Sequence, residues 1–88
     1  MNEADIKEAV KSSLKKITGH AENIEDEMLL LNDLGLESID LVELIFEVEQ
    51  RLNCELDMSQ LTMRMRNNKF AMTVRDFLGF VGSQLDEK

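Results

Sequence analysis

Apolar residues in this chain recur at steps of three and four from one end to the other, and no stretch alternates in the way a strand requires. Ile6, Val10, Leu14 and Ile17 share one face of a segment running from about Glu3 to Ile17, which Thr18-Gly19 stops. A second periodic segment spans about Ser38 to Leu52. A third, short one starts near Asp57 and holds Met58 and Leu61. The last opens at Thr73, with Asp76 three residues on approximating a capping box, and buries a stripe of Val74, Phe77, Leu78, Val81 and Leu85. The pattern predicts an all-α fold, a compact four-helix bundle of three main helices plus a short third.

At 88 residues, one core is all the chain can build, so residues 1–88 are read as a single domain. The 43% hydrophobic content, arranged in clear periodicity, argues against disorder despite the high charge. Cys54 is the single cysteine, which removes an internal disulfide and a zinc module from consideration and favours a reducing, cytoplasmic setting. The N-terminus is charged and amphipathic, unlike a signal peptide, and no apolar run reaches membrane-spanning length, so no membrane anchor is expected. A net charge of -8, from eighteen acidic and ten basic residues, disfavours nucleic acid and favours partners with basic docking surfaces.

Between the first and second helices lies HAENIEDEMLLLNDLGLE, residues 20 to 37. Its Ile24, Leu29, Leu30, Leu34 and Leu36 are too apolar for a solvated linker, so it should lie across the helices and close one side of the core. Gly35 permits a tight turn before the second helix.

The second helix carries the most information. At about 100° per residue, Leu41, Leu44, Ile45, Val48 and Leu52 fall on one core face. Asp40, Glu43, Glu47 and Arg51 form a charged stripe beside it. Ile39, Val42 and Phe46 gather on a separate apolar strip. Val42 suits packing under the preceding connection as well as it suits exposure, whereas a bundle this small has little surface left to cover Phe46. An apolar strip beside acids has the composition of a docking helix.

Ser38 stands at the mouth of that helix, between two acids in DLGLESIDLVEL. As an N-cap it would accept a hydrogen bond from a first-turn amide, worth about 1 kcal/mol. The same place also favours an attached phosphate, because the free amides and the helix dipole face it. A hydrolytic nucleophile fits poorly: the sole histidine is His20, in the connection after the first helix, and no GxSxG surrounds Ser38. Calcium fits no better. An EF-hand loop begun at Asp33 would place Gly35, Glu37 and Ile39 at liganding positions and Leu44 where the bidentate glutamate belongs. No metal site is expected.

DLGLESIDLVEL resembles the phosphopantetheine attachment segment of acyl carrier proteins, and the order of helices, the length and the acidity agree with that family along nearly the whole chain. The resemblance implies that Ser38 Oγ receives 4'-phosphopantetheine from coenzyme A through a phosphopantetheinyl transferase, and that acyl groups ride as thioesters on the arm's thiol. It implies a non-catalytic, monomeric carrier serving acyl-loading, condensing and other acyl-chain-processing enzymes in fatty acid, polyketide or related biosynthesis. Docking would involve Glu37, Ile39, Asp40, Val42, Glu43, Phe46 and Glu47. Two alternatives remain open: an aminoacyl or peptidyl carrier, and an acidic helical adaptor that keeps the fold without the modification.

The sequence departs from the family in two places. Glu37 replaces the usual aspartate before the serine, one methylene longer, where the family's acid helps hold the transferase's magnesium. TMRMRNNKFAM, residues 62 to 72, lengthens the connection to the last helix and makes it locally basic through Arg64, Arg66 and Lys69. This stretch reads either as a solvated loop or as an extended third helix whose Met63, Met65 and Phe70 patch the core. Its functional alternative is a segment that alters partner choice, marking a specialised, freestanding carrier.

Overall fold

The computed structural model describes residues 2–19, 23–68 and 71–86. They form four helices: α1 (Glu3–Thr18), α2 (Ser38–Leu52), α3 (Met58–Asn68) and α4 (Val74–Asp86). The expected all-helical bundle is what forms, and among the described residues the sole β feature is an isolated bridge between Leu29 and Thr73.

The ends of α1 follow from its own sequence. Asn2 accepts the Asp5 amide at 2.9 Å, and Gly19 takes the left-handed conformation (φ 75°) while its amide returns to the Lys15 carbonyl. Ile6, Val10 and Leu14 are buried as the periodicity requires, and Ile17 packs against the core from its edge. All five apolar residues assigned to the core face of α2 are buried, and α1 lies against that helix. In α4, Val74, Phe77 and Val81 are buried, and Leu78 and Leu85 are half-buried. Phe80, absent from the expected stripe, is buried too and meets Phe77 in a tilted ring pair at 5.7 Å.

The long connection does close the core. Ile24, Leu30, Leu34 and Leu36 are buried, with Leu29 half-buried. Backbone bonds fasten it to the start of α4: Leu30 N–H to the Met72 carbonyl (3.0 Å), Val74 N–H to Met28 (2.9 Å) and Arg75 N–H to Asp26 (2.8 Å). Such bonds satisfy polar groups that a buried segment would otherwise leave unpaired.

The basic stretch resolves in favour of an extended third helix over residues 62–68. Leu61 is buried and Met65 packs against the core, but Met63 is 62% exposed, so it does not patch the core as expected. The reason is angular, because Met63 lies about 160° from Leu61 on a helix with a 100° step. Lys69, Phe70 and His20 lie outside the described residues. Arg64 lies over the Phe80 ring, 5.9 Å from its centroid.

Candidate functional site

The segment before α2 is scaffold. Asp33 accepts the Leu29 amide through its carboxylate at 2.7 Å, and its own amide donates to the Leu29 carbonyl at 3.0 Å. Gly35 takes φ 73°, and Leu34 and Leu36 on either side are buried. The turn therefore delivers the chain to α2 at a fixed angle, since a side chain at Gly35 would strain the backbone.

The start of α2 corrects the capping expectation for Ser38. The N-cap is Glu37, extended at φ -98° and ψ 167°, and Ser38 is the first helical residue. Asp40 accepts the Glu37 amide at 2.9 Å, and its amide donates to the Glu37 carbonyl at 2.9 Å. Ser38 is exposed, and its hydroxyl has no hydrogen-bond partner among the described residues. Thus the hydroxyl is not consumed in ending the helix. It stands at the positive end of a 15-residue helix, whose first amides lack intrahelical partners and favour an attached anion.

The docking candidates separate by environment. Ile39, Val42 and Phe46 are 73%, 53% and 56% exposed, which decides for Val42 between the two placements open to it. Glu37 and Glu43 are exposed and form no ion pair among the described residues. Asp40 is half-buried and committed to the helix start. Glu47 is half-buried as well, held by Lys16 Nζ of α1 at 2.9 Å and approached by Arg51 at 3.9 Å. Glu43 is thus the acid of the stripe best placed to meet a partner's cation.

Elsewhere the surface holds an open groove of about 970 Å³, lined by Ile6, Lys7, Asp26, Leu78, Gly79 and Gly82 among others. No residue of α2 or α3 lines it, so it is remote from the Ser38 constellation in the fold. Asp26 at its edge is held below the usual carboxylate range, chiefly by the Lys7 hydrogen bond at 3.2 Å and further by the charges of Lys7, Lys11 and Arg75, with desolvation opposing. Asp57 is lowered in the same way by Ser59, which bonds it through both hydroxyl and amide. Among the described residues no group of three or more His, Cys, Asp or Glu is placed to hold a metal ion, and no helix is long and apolar enough to cross a membrane.

The sequence model of a family described as "Phosphopantetheine attachment site" matches residues 8–81. The chain belongs to that family. An acyl carrier protein of Wolinella succinogenes is 35% identical over 52 residues, 59% of this chain and 64% of that protein, so the match spans just under two thirds of the curated relative's length. The carrier family's prosthetic group is covalently attached 4'-phosphopantetheine, and its members carry rather than catalyse.

An exposed, unengaged hydroxyl at a helix N-terminus fits a phosphodiester-linked group. Periodicity and resemblance had pointed to Ser38 and to the outer face of α2. They missed Asp33 as the brace of the turn, Asp40 as the partner of the Glu37 amide, and Lys16 as the partner of Glu47. The first two were detectable as acids three or four residues from the amide they bind, but the third depends on tertiary packing.

Proposed function

We propose that the chain is a single carrier domain, residues 1–88, that takes 4'-phosphopantetheine on Ser38 Oγ and presents acyl groups to partner enzymes. One observation carries this reading most: within a helix start closed by Glu37 and Asp40, the Ser38 hydroxyl is exposed and unengaged. When attached, the group supplies a flexible arm ending in a thiol on which acyl groups are held as thioesters.

The chain's own residues then have distinct tasks. The turn braced by Asp33 and Gly35 holds Ser38 out from the core. The first-turn amides of α2 offset the phosphodiester's charge. Ile39, Val42 and Phe46 offer apolar contact, and Glu37, Glu43 and Glu47 steer basic partner surfaces, whereas Asp40 closes the helix start. Those partners are a phosphopantetheinyl transferase and acyl-loading, condensing and other chain-processing enzymes of fatty acid, polyketide or related biosynthesis. The setting is cytoplasmic and the domain monomeric.

The competing reading, an unmodified acidic adaptor, is motivated by Glu37 standing where the family has aspartate. Intact mass decides between them. After incubation with coenzyme A, magnesium and a broad-specificity phosphopantetheinyl transferase, the protein should gain one phosphopantetheine, and Ser38→Ala should gain none. No gain in the folded parent, beside a control carrier that is modified, would favour the adaptor.

A further inference from the structure

Asp40 belongs to α2 at the third helical position, and its most definite contact is with the backbone of Glu37. That contact bears on where the helix begins. Serine is among the best N-cap residues and glutamate is not, so local preference alone would start the helix one residue later, with Ser38 as the cap and its Oγ accepting a first-turn amide. In that alternative start the residue at the third helical position is Leu41, which has no side-chain acceptor to return. In the observed start that position is Asp40, whose carboxylate closes on the Glu37 amide at 2.9 Å. Two helix starts one residue apart thus compete, and Asp40 favours the one that leaves the serine hydroxyl free.

We propose that Asp40 is a positioning residue for modification of Ser38: by pinning the start of α2 at Glu37, it keeps Ser38 in the helix and its Oγ out of the cap. Its contribution is made through hydrogen bonding, not through the charge it would present to a partner. The proposal rests on Ser38 as the attachment residue for its rate effect, but the placement of the helix start can be measured without any modification.

The test compares Asp40→Ala with Asp40→Asn, whose amide oxygen can still accept the Glu37 N–H but whose charge is gone. The placement readout is the pair of backbone-sensitive carbon shifts, Cα and Cβ, of Ser38 in each unmodified protein, with circular dichroism to verify that the bundle is retained. The rate readout is mass gain with coenzyme A, magnesium and the transferase. Asp40→Ala should move the Ser38 shifts from helical toward extended values and slow modification roughly fivefold, the equilibrium factor that one cap corresponds to. Asp40→Asn should keep helical shifts and stay within about twofold of the parent, because a neutral acceptor still closes the turn.

A rescue variant makes the placement arm independent of charge. Adding Glu37→Ser to Asp40→Ala supplies a strong N-cap at position 37 and should return Ser38 to helical shifts. The proposal is overturned if Ser38 stays helical in Asp40→Ala, or if Asp40→Asn loses as much rate as Asp40→Ala, the outcome that would make Asp40 a docking charge. If the parent accepts no phosphopantetheine, the carrier reading fails, and the shifts still decide whether Asp40 fixes the helix start.

Discussion

Two helices in this bundle start with a hydroxyl residue and an aspartate, and they use the hydroxyl in opposite ways. At α4 the spacing is three: Thr73 Oγ accepts the Asp76 amide at 3.1 Å, and the Asp76 carboxylate accepts the Thr73 amide at 3.0 Å. At α2 the spacing from Ser38 to Asp40 is two, so the aspartate closes instead on Glu37 and the serine is carried one place into the helix. The α4 start is also stitched to the long connection through Val74 and Arg75, whereas Ser38 faces solvent. A single residue of offset therefore distinguishes a hydroxyl that holds the fold from one available for chemistry.

Exchanging the two hydroxyls for alanine gives the largest contrast. Ser38→Ala should lose all phosphopantetheine loading while its melting temperature barely moves, because no hydrogen bond is removed. Thr73→Ala should load at the parent's rate yet lose about 1 kcal/mol of stability, as expected for a cap. In a domain of this size that is a fall of about 4–8 °C in Tm. Intact mass and a thermal melt on the same samples check both, and a large Tm loss in Ser38→Ala would break the comparison.

The outer face of α2 extends the contrast between available and committed groups. Phe46→Ala should weaken productive encounter with a cognate acyl-loading enzyme by about tenfold, an interface anchor's share of roughly 1–2 kcal/mol, without loss of stability. Glu43→Lys should act mostly on association and lose its effect as salt rises. Glu47→Lys is different in kind. It also severs the bond to Lys16, so it should show a stability change that Glu43→Lys does not. Loading kinetics at low and high salt, paired with melts, separate these outcomes.

How much of this was readable beforehand depends on whether a residue's partner is near in sequence. The four helices, the core face of α2 and the Thr73 start follow from spacings of three and four, which one helix enforces on itself. The strip of Ile39, Val42 and Phe46 was legible as a face, but Val42's exposure was not, because the same residue could have packed under the long connection. Ser38 is legible as a site, but position alone favours it as the cap, a role the structure gives to Glu37. General capping preference favours serine over glutamate, and the aspartate at position 40, in a capping box with Glu37, tips the start the other way. Phe80 was legible from local spacing too, three residues from Phe77 whose ring it meets, and its place in the core was missed; the cover of Arg64 from another helix is the part no local period encodes.

The basic turn of α3 divides along the same line. Arg64→Ala should cost about 0.5–1 kcal/mol, the value of an exposed cation over a ring. Arg66→Ala should leave the melt unchanged, since Arg66 is exposed and has no ion-pair partner among the described residues. A shift in partner preference on removing Arg66, measured as relative loading rates with two different acyl-loading enzymes, would make it an available group like Glu43. Equal rates would leave it a solvated charge.

The smallest effect concerns pH and belongs to the committed side of the molecule. The Asp26 carbonyl accepts the Arg75 amide, and its carboxylate meets Lys7 at 3.2 Å and Lys11 at 3.6 Å, so this residue joins the start of α4 to α1. Its folded pKa is lowered, first by the Lys7 hydrogen bond. A carboxylate more acidic in the folded state stabilises the fold above its unfolded pKa, and that contribution disappears as pH falls through the lowered folded value. Asp26→Asn should therefore melt slightly below the parent at neutral pH, and the two curves should converge in acid. Loading at Ser38 should be the same in both, because Asp26 fastens α4 to α1 and none of its polar contacts among the described residues reaches the start of α2. A loading defect in Asp26→Asn would mean instead that the two helix starts are mechanically coupled through the connection between α1 and α2.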